Sequence, residues 1–144
     1  MDLSPHAIAE VRITLDSFFE AYGRGDLDEV MSYYLADERI IGLGTGADER
    51  NLGWEEHRAQ IERDLGQSSS RRLTIDWFKA AGKGDVAWAA TEGPAWAATE
   101  AGEFTATLRM SFVLLRTDDG WKIVLGHGSV PMPGQGEGQS FPGE

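Results

Sequence analysis

The sequence predicts an α+β domain, with helices first and antiparallel strands after them. Three observations lead there. Over residues 4–65 large apolar side chains recur at spacings of three and four, the period of one helix face. Over residues 73–130 they alternate with polar ones, the period of a half-buried strand. Turn signals at Ala81–Gly84, Ala101–Gly102 and Thr117–Gly120 divide that second half into long segments joined as a meander.

Ile8, Val11, Leu15, Phe18, Phe19 and Tyr22 form the stripe of a first helix, with Ser4 as N-cap, Pro5 at the first helical position, and Gly23 and Gly25 at its end. Asp26 caps a short second helix, with Glu29 three residues on as in a capping box and Leu27, Val30, Met31 and Tyr34 on its apolar side. Arg39 to Leu43 is short and branched and reads as a strand. Trp54, His57, Ile61 and Leu65 predict a third helix that Gly66 closes. Leu73, Ile75 and Trp77 then alternate as one strand; Val86, Trp88 and Ala90 open a long second strand that Gly93-Pro94 should kink; Thr105 to Arg116 and Trp121 to Val130 complete the meander. Alternation puts Ala106, Leu108, Met110, Phe112 and Leu114 on one face, with Thr105, Thr107, Arg109, Ser111 and Val113 on the other. In the last strand Val124, Gly126, Gly128 and Val130 oppose Leu125, His127 and Ser129.

A chain of 144 residues with 41% hydrophobic and 26% charged residues fits one globular core. Thirteen basic against twenty-four acidic side chains give a net charge of -11, which excludes a broad nucleic-acid or anionic-membrane surface. The absence of cysteine excludes disulfides, thiolate metal sites and cysteine nucleophiles. No apolar run reaches the roughly 18 residues of a membrane span, and Met1 to Glu10 lacks a basic region followed by an apolar one, so a cytoplasmic location is expected. Pro131 to Glu144 holds four Gly and three Pro, too little apolar surface to order itself; residues 1–130 are expected to form the domain and 131–144 a flexible tail.

The run Phe18-Phe19-Glu20-Ala21-Tyr22, followed by Gly25-Asp26-Leu27-Asp28, Gly53 before the third helix, and the ending Asp119-Gly120-Trp121-Lys122-Ile123-Val124 with His127, Ser129 and Pro131, resembles the SnoaL-like domain family of the nuclear-transport-factor-2-like superfamily. The superfamily includes ketosteroid isomerase and the association domain of calcium/calmodulin-dependent protein kinase II. The resemblance implies a cone-shaped α+β fold, with three N-terminal helices packed on a strongly bent, mostly antiparallel sheet. It also implies a pocket on the concave face and a homodimer formed through the other face. On that basis Arg109, Ser111, His127 and Ser129 are expected at the interface with a second copy. The fold hosts many reactions and noncatalytic modules, so function has to come from the site.

Ketosteroid isomerase needs a carboxylate base and two acidic hydrogen-bond donors. Carried onto this chain, the tyrosine donor falls on Phe18, the base on Gly42 or Leu43, and the second donor on Phe112 or Ser111. None is a carboxylate, and that reaction lacks its base. Gly42-Leu43-Gly44-Thr45-Gly46 is rich in glycine, but Asp48 and Glu49 follow it and would repel phosphate; it reads as a flexible loop before the third helix. His6, His57 and His127 show no metal-ligand spacing, so neither metal nor cofactor is expected.

His57 stands in the apolar stripe of the third helix, where it needs a hydrogen-bond partner: a backbone carbonyl, or a ligand. The expected ligand-binding set is Phe18, Tyr22, Tyr34, Trp54, His57, Trp88 and Phe112, an apolar, aromatic-lined pocket for a small apolar or aromatic molecule. The gap left by Gly126 and Gly128 could add volume to it. The leading expectation is a small-molecule-binding protein. The alternatives are an isomerase, dehydratase or cyclase using His57, Tyr22 or Tyr34 for proton transfer, and a noncatalytic association module.

Overall fold

The computed structural model describes residues 2–143. Helix α1 (Pro5–Arg24) starts where Ser4 accepts a hydrogen bond from the Ala7 amide and ends at Gly25, whose φ of 75° is the left-handed conformation that glycine adopts without strain. Helix α2 (Leu27–Ser32) is capped by Asp26, which accepts from the Glu29 amide. The Glu29 side chain pairs with Arg24 rather than returning to the cap, so the box is half formed. Strands β1 (Ile41–Leu43) and β2 (Arg50–Leu52) precede helix α3 (Trp54–Gly66). The meander follows as β3 (Ser70–Leu73), β4 (Trp77–Lys83), β5 (Val86–Thr99), β6 (Gly102–Thr117) and β7 (Gly120–Ser129).

The strands form one curved, mixed sheet in the order β2-β1-β7-β6-β5-β3, with β4 also paired to β5. Every pairing is antiparallel except β1 with β7, which the intervening helical segments make possible. The helices lie on one face. Val11, Leu15 and Phe18 of α1, Val30 and Met31 of α2 and Ile61 of α3 are buried against Phe112 and Leu114 of β6 and Ile123 of β7. Each such side chain contributes roughly 1.5–3 kcal/mol by leaving water. Pro131–Gly143 carries no helix or strand, and its side chains are exposed.

The structure corrects four expectations. The glycine-rich segment is a β-hairpin, not a free loop: β1 pairs with β2, and the Gly44 amide donates to Glu49 O at 2.9 Å. The strand expected over Leu73–Trp77 is two strands. Residues 74–76 cross β5 at Gly93, where a Cβ would stand 1.9 Å from the Thr74 carbonyl, and there β5 exchanges β4 for β3 as its neighbour. Gly93-Pro94, where a kink is expected, is the point at which β5 changes partner. The next turn falls at Gly84, φ 62°, because β4 runs on to Lys83. Finally, a bulge between β6 and β7 pairs Leu114 with Ile123 but Val113 with Leu125. The extra residue reverses the alternation, so Trp121 and Ile123, not Val124, share the inner face with Gly126 and Gly128.

Candidate functional site

Between α1, α3, the β1–β2 turn and the inner face of β6 and β7 lies a cavity of about 140 Å³. Its space comes from the glycines. Cβ atoms at Gly126 and Gly128 would stand 3.7 Å from Phe112 and Leu108 respectively, so any longer side chain would project into the void. Phe18, Phe19, Ile61, Leu73, Leu108 and Met110 make the apolar walls. One polar wall faces them. On α3, His57, Gln60, Ile61 and Asp64 follow at offsets of three, four and seven, one helical face, and Glu49 reaches the same wall from the β-hairpin.

These polar groups hold one another. The Tyr22 hydroxyl donates to Asp64 Oδ2 at 3.0 Å, and the Gln60 amide donates to Glu49 Oε1 at 2.6 Å. Asn51 donates to Gln60 Oε1 and lies 3.4 Å from His57 Nδ1. With the Asn51 amide donating to Nδ1, the imidazole proton sits on Nε2, and that atom is buried with no hydrogen-bond partner among the described residues. The Tyr34 ring stacks obliquely on the imidazole, centroids 4.4 Å apart. Its hydroxyl has no hydrogen-bond partner among the described residues and stands 3.8 Å from where a Gly126 Cβ would lie.

Burial sets the proton affinities. It pushes Asp64 up to about 6; the Tyr22 hydroxyl opposes that rise, and the nearby Glu49 charge adds to it. Burial lowers His57 to about 4, so its imidazole is neutral at pH 7. Burial raises Tyr22 and Tyr34 well above the ordinary phenol value, with Asp64 adding to both. The wall therefore presents, beside the Glu49 charge, a carboxyl that ionises at about 6 and three groups, His57, Tyr22 and Tyr34, that are neutral at pH 7.

The structure gathers Phe18, Tyr22, Tyr34 and His57 of the expected set around this cavity. It leaves out three. Trp88 is 52% exposed on the opposite face of the sheet, because alternation along β5 turns Ala87 and Ala89 inward instead. Trp54 packs beside the core and donates its indole N–H to Met31 O at 3.2 Å. Phe112 is core, its ring 6.1 Å from that of Phe18. The partner of His57 is the Asn51 side chain, not a backbone carbonyl. Asp64, Glu49 and Gln60 escaped the sequence reading, although Asp64 follows His57 by seven residues, two helical turns, and that spacing alone places both on one face. Arg109, Ser111, His127 and Ser129 lie together on the opposite, outer face, where the register sets Arg109 against Glu92 and Ser129, and Ser111 against His127.

Helices cupped by a curved mixed sheet are the fold of NTF2-like proteins of known structure. A family model described as the SnoaL-like domain matches residues 11–133, and the chain belongs to that family. Solved structures agree on the fold. An NTF2-like superfamily protein from Salmonella enterica is 18% identical, with a TM-score of 0.83 over 94% of this chain and 98% of its own. A candidate dehydratase of the NTF2-like family from Streptomyces avermitilis is 16% identical, with a TM-score of 0.82 over 90% and 99%. A candidate calcium/calmodulin-dependent protein kinase II association domain from Xanthomonas campestris is 23% identical, with a TM-score of 0.74 over 86% of each chain. At these identities the likeness is one of fold. Among curated proteins none matches the chain. Among the described residues no helix is long and apolar enough to cross a membrane.

Proposed function

We propose that the cavity binds a small, weakly polar molecule of about one ring and that Asp64 moves a proton on it, in an isomerisation or dehydration. The observation that carries this reading is a cavity-lining carboxyl whose burial brings it to about 6 while Tyr22 fixes its orientation. A general base works best with a proton affinity near the working pH. A volume of 140 Å³ is close to the roughly 150 Å³ at which an apolar cavity accepts a benzene-sized guest. In the proposed step the Asp64 carboxylate takes a proton from carbon next to a carbonyl. The unpartnered Tyr34 hydroxyl donates to the developing oxyanion, and Asp64 returns the proton at a second carbon or to a leaving hydroxyl. His57, neutral, adds a donor to the same wall. Neither metal nor cofactor is required.

The test follows deuterium exchange from solvent into small cyclic ketones such as cyclohex-2-enone by NMR. Wild-type protein should accelerate exchange with a rate that rises through about pH 6, and Asp64→Asn should lose about 10²–10⁴-fold. Ketone binding without exchange would remove the reaction and leave a binding protein.

The outer face supports a second, compatible reading, association with another copy. Trp77 and Trp88 are each 52% exposed there, Val86 is 39% exposed, and Arg109 pairs with Glu92 beside them. Apolar surface of this extent, ringed by polar groups, is what an interface covers.

A further inference from the structure

A second chamber of about 160 Å³ adjoins the first. The two share Tyr22, Thr45, Leu73 and Leu108 as walls, and the outer one continues past Phe104 and Val130, both exposed, toward the surface. Among the described residues it contains one charged group, Arg71. Among the described residues, three arginines of this acidic chain have no carboxylate within 4 Å: Arg50, Arg71 and Arg72. Arg50 and Arg72 are exposed, whereas Arg71 is half-buried and lines the chamber.

Neutral groups fix its guanidinium in place. Nε donates to Ser68 Oγ at 2.9 Å, Nη2 to Ser68 O at 3.1 Å and Nη1 to Tyr22 O at 3.5 Å. Gly25 makes room for it, since a Cβ there would stand 2.8 Å from Nη1. A guanidinium has five N–H donors. Three are used, two remain, and among the described residues no carboxylate stands within 4 Å of the charge. Retaining a positioned, unneutralised cation in a chain of net charge -11 points to an anion that arrives from outside.

We infer that the outer chamber is a subsite for the carboxylate of the substrate, held by Arg71, so that the molecule is a small monocarboxylic acid whose apolar or carbonyl-bearing end enters the inner cavity. The assignment of the inner end rests on the proton-transfer reading above; the Arg71 subsite does not. Tyr22 sets the spacing, because its backbone carbonyl accepts from Arg71 while its hydroxyl donates to Asp64. Carboxylate and reacting carbon should therefore be separated by about the length of a tyrosine side chain. The apolar walls, Leu73, Ala95, Ala106 and Val130, suit a carboxylate on a hydrocarbon chain better than a multiply charged phosphate, which they could not solvate.

The experiment compares 4-phenylbutanoate, 4-phenylbutanamide and phenyl phosphate by calorimetric titration of the wild-type protein, Arg71→Gln, Arg71→Lys and the neighbouring exposed variant Arg72→Gln. Wild-type protein should bind the acid at least about tenfold more tightly than the amide, and this preference should shrink as salt is raised. Arg71→Gln should abolish the preference by lowering acid affinity far more than amide affinity, Arg71→Lys should keep part of it, and Arg72→Gln should keep it in full. Equal affinity of wild-type protein for acid and amide overturns the subsite alone. So does a preference that survives Arg71→Gln, or tighter binding of phenyl phosphate. If neither acid nor amide binds, the subsite and the cavity reading both fall. If Arg71→Gln does not fold, the wild-type acid-to-amide ratio, its salt dependence and the Arg71→Lys ratio decide.

Discussion

Asp64→Asn should stabilise the protein at pH 7.5 and leave it unchanged at pH 4. In the fold this carboxyl stands at about 6 against an ordinary 3.8, so the native state binds its proton more tightly than the unfolded chain does. The resulting stabilisation is fully present below about pH 4 and is lost as pH rises through 6. A displacement of two pH units corresponds to roughly 3 kcal/mol, which solvent screening of a half-buried group reduces to about 1–2 kcal/mol. Asparagine removes the charge and keeps an oxygen to accept from Tyr22. His57 has the opposite sign. Its imidazole stands at about 4 against an ordinary 6.5, so its contribution is present above 6.5 and lost as pH falls through 4. Between pH 4 and 6 the two slopes oppose each other. Asp64→Asn should therefore expose a stability that climbs with pH across that window, and His57→Gln one that declines. Asp37 and Asp48, held low by Arg39 and Arg63, do not disturb the comparison. Urea denaturation of the three proteins at pH 4, 5, 6 and 7.5 measures it. An Asp64→Asn offset equal at pH 4 and 7.5, or a loss of stability at 7.5, would refute the assignment of Asp64 as a buried, proton-retaining carboxyl.

Gly42→Ala tests how closely β1 supports the imidazole: its Cβ would stand 2.4 Å from His57 Nδ1, so the ring must move, at about 1–3 kcal/mol. Thermal denaturation and the His57 ring resonances should both shift, and an unchanged pair would contradict the packing. For the outer face, sedimentation at micromolar concentration should give about twice 15.8 kDa, and Trp88→Glu should return the monomer with its circular dichroism intact. A wild-type protein that stays monomeric removes that interface.

Helices were legible in the sequence because each hides one face: the stripe from Val11 to Phe18 and the caps at Ser4 and Asp26 recur in the structure at their expected places. The third helix was legible for the same reason, but its polar face was not. Asp64 sits in Glu62-Arg63-Asp64, which reads as a solvated charge run, and only counting back to His57 shows that it turns inward. Strand β2 was hidden because an edge strand made of Arg50, Asn51 and Leu52 has little to bury. The bulge in β7 was hidden for the contrary reason. Ile123, Val124 and Leu125 are all apolar, so either phase of the alternation satisfies them, and hydrogen bonding to β6 chooses.

The tryptophans carry that last point further. Size suggested that Trp88 lies inside, yet in β5 the inward positions belong to Ala87 and Ala89, and Trp88 faces out with Val113 opposite it. A sheet covered on one face alternates cleanly between apolar and polar. This one keeps Val86, Trp88, Val113 and Leu125 on the face away from the helices, next to the exposed Trp77. Apolar side chains on both faces are the pattern of a sheet that is covered on both sides. The helices supply one cover; under the association proposed above a second copy would supply the other, and the exposed apolar positions of β4, β5 and the end of β6 are where it would sit.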